Sequence, residues 1–216
     1  ELDRLWKDVL LQQFHDIIPG SSITWVYEDA EAEHERVAAR LEELIAEALA
    51  QVAPSGMIAN PSAFTRTEVV ADATGALVVV SAPGFGFGGP ATVEDRVVTT
   101  EHSFTNGFLS VAWDLAGEIT SIIDVHAGRE LLPDGRRVSL ELAPDHPVEY
   151  DAWDVEAWTR GLGRPVGGVH SVTLREDGPL RATLEVRRAF GRSTVVQRVV
   201  LRAGSPRLDL AFDIDW

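Results

Sequence analysis

Four runs near the end of the chain, Val169–Arg175, Arg181–Phe190, Thr194–Arg202 and Arg207–Trp216, alternate apolar with polar side chains. A period of two puts every second residue on one face of an extended strand. In Leu184, Val186 and Arg188 against Glu185, Arg187 and Ala189 the alternation is imperfect but legible. Strands repeated at such short spacing imply an antiparallel sandwich. Shorter β-type runs precede them at Phe108–Trp113, Ile119–Ile123 and Val138–Leu142, with Phe104 ahead and a tight hairpin turn at Asp114-Leu115-Ala116-Gly117.

A further set of short runs, Met57–Ala59, Thr67–Ala71, Leu77–Val80 and Val93–His102, lies upstream. Between the last two, Gly84-Phe85-Gly86-Phe87-Gly88-Gly89 matches the GxGxxG dinucleotide fingerprint. That fingerprint needs a helix directly after it, and here Pro90 and another β-type run follow, so the stretch reads as a glycine-aromatic loop.

The first quarter is helical. Leu2, Leu5, Trp6, Val9 and Leu10 recur at the spacing of one buried helix face, and Leu11 and Phe14 widen it. The pattern predicts a helix from residue 2 to about 18, stopped by Pro19-Gly20. Ser22 or Thr24 is the expected N-cap of a second helix, whose apolar stripe is Val37, Leu41, Leu44, Ile45, Ala48, Leu49 and Val52. It fades at Pro54-Ser55-Gly56. Two helices joined by a short break suggest an antiparallel hairpin or two members of a bundle. The fold class is α+β.

Composition excludes several functions. The net charge is −15, and no basic stripe offers itself to a polyanion, so nucleic acid is not an expected partner. No apolar run is long enough for a membrane helix. There is no cysteine, hence no disulfide framework and no thiolate metal site. Glu1-Leu2-Asp3-Arg4 is unlike a signal peptide, and a cytoplasmic protein is expected. The chain starts inside a helix pattern and stops inside a strand pattern at Phe212-Asp213-Ile214-Asp215-Trp216, as a segment of a longer protein would. A truncated sandwich exposes an unpaired edge, so self-association is expected.

Two stretches could carry chemistry. His15 and Asp16 sit side by side at a helix end. A neutral imidazole suits zinc-like metals, and a neighbouring carboxylate can bind sugar hydroxyls or orient water. A metal site needs three or four ligands, and no other histidine lies at ligand spacing from His15; a capping or packing role is the alternative. The second stretch interleaves Asp145, Asp151 and Asp154 with Tyr150, Trp153 and Trp158. Aromatic faces and carboxylates are the groups that grip sugars, and paired carboxylates can hydrolyse glycosides. The alternative is an acidic loop whose aromatics pack on the sandwich. His34, His102, His126 and His170 read as surface or strand-edge residues.

The run from Leu5 to Ile23, with Gln13-Phe14-His15-Asp16-Ile17-Ile18-Pro19-Gly20-Ser21-Ser22 at its centre, and then Val26-Tyr27-Glu28-Asp29-Ala30, resembles the α-mannosidases of glycoside hydrolase family 38. The resemblance continues through Asn60-Pro61-Ser62, Asn106-Gly107-Phe108-Leu109, Ser121-Ile122-Ile123-Asp124, Gly128-Arg129-Glu130, Asp151-Ala152-Trp153-Asp154 and Asp215-Trp216. Phe14 ahead of His15 is similar to the bacterial and cytosolic branch.

The resemblance implies a retaining α-mannosidase acting on mannose-containing glycans, with an N-terminal catalytic barrel that this chain lacks. His15 matches the family's ligand to a divalent metal, usually zinc, and Asp16 the acid that contacts mannose. Asp151, Trp153 and Asp154 are carried over as substrate-binding residues. Residues 1–54 match the end of a helical bundle, 55–102 a small β domain, and 103–216 the first part of a large galactose-mutarotase-like β-sandwich. The nucleophile is expected outside this chain, so the chain alone is expected to be inactive, with its metal position unfilled. A competing reading is a non-enzymatic carbohydrate-binding or structural β-sandwich module.

Overall fold

A computed structural model of the chain describes residues 1–150 and 153–216, with Arg160 described by its backbone alone. These residues form two compact units, Glu1–Ala53 with Ala143–Gly163, and Pro54–Leu142 with Arg164–Trp216.

In the first unit, α1 (Leu2–Leu11) and α2 (Thr24–Val52) run antiparallel as a helical hairpin. Ion pairs fix the direction: Arg40 Nε lies 2.5 Å from Glu1 Oε1, and Arg36 Nη2 lies 2.6 Å from Asp8 Oδ2. α1 ends well before Pro19. Its end tightens into three-residue turns, with the Gln13 N–H on the Leu10 carbonyl and the Phe14 N–H on the Leu11 carbonyl. Pro19 has no N–H for the His15 carbonyl, and the Asp16 carbonyl is taken by side chains, so the expected last turns do not form. The predicted cap is also absent. Ile23 holds the N-cap position without a side-chain bond, because the Ser22 hydroxyl is committed to Asp16.

Only Leu5 of α1, and Ala30 and Val37 of α2, are buried. The expected apolar faces are broader than this, and Trp6, Leu10, Ile45 and Val52 stay exposed. Length explains part of it. At 1.5 Å per residue α1 covers about 15 Å and α2 about 43 Å, so the far half of α2 has no helix opposite it among the described residues. A short 3₁₀ turn, Thr159–Leu162, belongs to the same unit.

The second unit is all β. β1 (Ile58–Asn60), β2 (Arg66–Ala71), β3 (Leu77–Ala82) and β4 (Gly86–Pro90) form an antiparallel sheet in the order β1-β4-β3-β2. The glycine-aromatic stretch is therefore largely strand, not loop, and no helix follows it. Its glycine content answers crowding: a Cβ on Gly88 would fall 1.8 Å from the Ser81 carbonyl oxygen.

Next come β5 (Val98–Thr99), β6 (Ser103–Thr105), β7 (Leu109–Trp113), β8 (Ile119–Asp124) and β9 (Arg129–Glu130), a five-stranded meander. β10 (Glu141–Leu142) pairs with β11 (Arg164–Pro165). β12 (Val169–Asp177), β13 (Arg181–Phe190), β14 (Ser193–Arg202) and β15 (Leu208–Asp215) make a second meander, antiparallel throughout. The Val93–His102 run shrinks to β5, and Val138–Leu142 to β10 plus one bridge from Val138 to Ile119. Asp114–Gly117 is the expected turn: the Asp114 Oδ1 accepts the Ala116 and Glu118 N–H groups, and Gly117 takes φ +73°.

The two meanders share one core. Phe104, Leu109, Val111, Trp113 and Ile119 meet Ala182, Leu184, Val186, Val199 and Leu201 in a single buried cluster. Removing this apolar surface from water is the main favourable term for the unit.

β13 is covered on both faces, which is why its alternation is imperfect. Opposite the core, Glu185 is 6% exposed beneath Arg175 at 2.7 Å, Arg187 at 2.9 Å and Arg198 at 3.1 Å. On the core side, buried Arg188 donates to Gln197 Oε1 and the Ala116 carbonyl, both at 3.0 Å, and burial pushes its pKa down.

Hydrogen bonding to Arg175, helped by Arg187, holds the Glu185 carboxyl at about 2, against an ordinary 4.5. The folded pKa is depressed, so this contribution to stability is fully present above the unfolded value and lost as pH falls through the folded one. Glu130 moves the same way, to about 2, through the Ser121 hydroxyl and backbone N–H groups. The urea midpoint of the protein is expected to hold down to about pH 5 and then fall towards about pH 2. Glu185→Gln should remove part of that slope, and an unchanged slope would count against this assignment.

Candidate functional site

The turn between α1 and α2 is built around one carbonyl. The backbone oxygen of Asp16 accepts the Ser22 hydroxyl at 2.8 Å and the Tyr27 hydroxyl at 3.3 Å. The Tyr27 oxygen in turn accepts the Ser22 N–H at 2.8 Å. Tyr27 stands in the first turn of α2, so the long helix anchors the turn from behind. The backbone of Asp16 is held while its side chain remains free to face outwards.

His15 and Asp16 present their side chains together. His15 Nε2 lies 3.5 Å from Asp16 Oδ2, and the side chains are 69% and 47% exposed. The Phe14 ring lies against the imidazole, with centroids 4.3 Å apart. One imidazole and one carboxylate suit a divalent cation in kind. In number they fall short, because a catalytic zinc site takes three protein ligands and a structural site four. Among the described residues no three His, Cys, Asp or Glu side chains gather closely enough to hold a metal. The chain therefore offers part of a donor set.

The second candidate stretch lies in the same compact unit as the helices. Asp151 falls outside the described residues. Trp153 and Asp154 share one turn, their N–H groups both on the Tyr150 carbonyl at 2.9 Å. Trp153 and Trp158 are each 51% exposed and Tyr150 is 70% exposed, so these rings are not core residues of the sandwich. Asp145 and Asp154 are exposed as well. His34, His102, His126 and His170 are all exposed, as surface or edge residues should be.

Ser22 and Tyr27 were not foreseen as parts of this turn. The available signal was a tyrosine one turn into a helix that has no conventional cap. Its side chain is long enough to reach back across the Pro19-Gly20 break.

Comparison with known proteins agrees along the chain. The profile described as "Alpha mannosidase middle domain" matches residues 1–52. The profile described as "Glycosyl hydrolases family 38 C-terminal domain" matches residues 104–216. "Alpha-mannosidase 2C1" of Homo sapiens is 29% identical and that of Mus musculus 30%, each over 242 aligned residues. "Alpha-mannosidase G" of Dictyostelium discoideum is 24% identical over 291. All of this chain is covered in each comparison, but it spans only 23% of the human and mouse proteins and 27% of the Dictyostelium one. With more than half of its residues matched by the C-terminal domain profile and its helices by the middle domain profile, the chain belongs to glycosyl hydrolase family 38.

Proposed function

We propose that this chain is the part of an α-mannosidase that supplies one wall of a metal-assisted sugar site, through His15 and Asp16. The observation that carries the reading is the clamp on the Asp16 carbonyl, which leaves two adjacent polar side chains exposed on a held turn. Fixed donors of this kind orient a substrate at low entropic cost. The names of the relatives supply the substrate class, terminal α-mannosides of mannose-containing glycans.

His15 would donate one imidazole nitrogen to a divalent metal, zinc by preference, completed by residues outside this chain. Such an ion, when bound, supplies Lewis-acid contacts to sugar hydroxyls. Asp16 would accept hydrogen bonds from the mannose hydroxyls. Trp153 offers an exposed ring and Asp154 a carboxylate for a substrate flank, and Asp151 would extend it. Hydrolysis with retention needs a nucleophilic carboxylate and an acid that protonates the leaving oxygen. Neither role is assigned to a residue of this chain, so the chain by itself should not turn over an aryl α-mannoside. The acidic composition and the lack of cysteine support a cytoplasmic location. Among the described residues no helix is long and apolar enough to cross a membrane.

The test is the full-length protein carrying this chain, assayed with an aryl α-mannoside with and without chelator. Wild type should be active and chelator-sensitive, and His15→Ala should lose at least about a hundredfold in kcat/KM. Equal, chelator-insensitive activity in both would remove the metal-ligand role. Turnover by the 216-residue chain alone would overturn the claim that it lacks the catalytic carboxylates.

A further inference from the structure

The second unit holds an open cleft between the start of β2 and the turn joining β14 to β15. Its volume is about 630 Å³. Phe64, Arg66 and Glu68 stand on one side, and Arg202, Ser205 and Arg207 on the other. We propose that this cleft is a binding site for a neutral oligosaccharide, separate from the His15 and Asp16 turn.

The walls are held from within by two buried asparagines. The Asn60 carboxamide, in a residue 6% exposed, donates to the Phe64 carbonyl at 2.9 Å and to the Ala82 and Pro83 carbonyls. Its oxygen accepts the Ser62 N–H at 3.1 Å. The Asn106 carboxamide, fully buried, donates to the Arg202 and Ser205 carbonyls at 2.5 and 2.6 Å. Glycines press both walls against their neighbours. A Cβ on Gly84 would lie 2.5 Å from the Ala63 backbone, and one on Gly204 would lie 2.6 Å from Val93 Cγ1. Two loops fixed in this way leave a cleft with little to reorganise on binding.

The charges in the cleft are matched against each other. Arg66 is paired with Glu68, its Nε 2.8 Å from Oε1. Arg202 and Arg207 both reach Asp209, the latter through Nε at 2.8 Å from Oδ1. A guanidinium carries five donors, more than one carboxylate takes up. The pairs thus offer fixed donors and acceptors with their charges largely cancelled. That is a poor field for an anion and a good one for many hydroxyl groups. Phe64, 68% exposed at the mouth, adds an apolar face of the sort that lies against the C–H side of a sugar ring. Cleft volumes of this order accept ligands of a few rings.

This proposal does not depend on the catalytic reading, and neither does its test. Calorimetric titration of the full-length protein carrying the chain would use mannotriose, maltotriose and cellotriose as probes, with inorganic phosphate as the anionic control. At least one trisaccharide should bind, and Phe64→Ala and Arg207→Ala should each weaken it about tenfold or more. Activity on the aryl mannoside and the melting temperature should stay at wild-type values. Phe64 and Arg207 stand on opposite walls and are both exposed, so either variant alone can decide if the other loses its fold. Failure of all three sugars, equal binding in both variants, or binding of phosphate in their place would overturn the proposal.

Discussion

Asn106→Ala should destabilise the protein by on the order of 4 kcal/mol, a large effect for a polar-to-apolar change. The side chain is fully buried and makes four hydrogen bonds with backbone groups. Two are donated, to the Arg202 and Ser205 carbonyls, and two accepted, from the Phe108 and Leu109 N–H groups at 3.1 and 3.0 Å. Alanine removes all four partners together and leaves donors and acceptors buried with no room for water. Each such orphan costs roughly 1–3 kcal/mol, and relaxation of the loops recovers part of the sum. Asn106→Asp keeps the shape but points a carboxylate at two carbonyl oxygens, and should be at least as harmful. Urea denaturation followed through Trp113, which packs 5.0 Å from Phe104 in the same core, reads the change directly. A loss below about 1 kcal/mol would show that the two loops find other partners and that Asn106 does not hold the cleft wall.

What was legible in the sequence depended on whether a residue's role has a period. β13 begins at Arg181 and ends at Phe190, the limits that alternation predicts, and its neighbours β12, β14 and β15 fall within a residue or two of theirs. The core needs every second side chain, so the pattern is written along the strand. Gly88 has no such pattern. Glycine reads as loop by propensity, yet here it is a strand residue because the Ser81 backbone passes where a Cβ would be. The apolar faces of α1 and α2 were legible as faces. Their degree of burial was not, because it depends on what lies opposite each turn.

The candidate site divides in the same way. His15 and Asp16 are adjacent, so sequence alone brought them together, and the family resemblance gave the pair a meaning. Their support is a side chain and a backbone oxygen eleven residues apart, joined across a Pro-Gly break. Such a bond follows no helix or strand period. The same holds for Asn60 and Asn106, which stood out in the family-like blocks without revealing that each ties several backbone groups together.

Tyr27→Phe is the variant that tests this support, and in the full-length protein it should lower kcat/KM on an aryl α-mannoside by about 10–100-fold. The hydroxyl accepts the Ser22 N–H at 2.8 Å and donates to the Asp16 carbonyl at 3.3 Å. Without it the N–H loses its acceptor, and the carbonyl keeps only the serine bonds. The turn can then rotate, and a shift of about 1 Å at Asp16 is enough to spoil alignment with a substrate. Ser22→Ala attacks the same carbonyl from the other side and should have a similar effect. The two groups act on one oxygen, so the double variant should lose less than the product of the single losses. A merely structural role predicts a lower melting temperature and nothing more. A positioning role also predicts about tenfold easier removal of the metal by a competing chelator, at temperatures where both variants remain folded. Wild-type chelator resistance together with wild-type kcat/KM would sink the assignment. The clamp would then stabilise the helical hairpin without orienting His15 and Asp16.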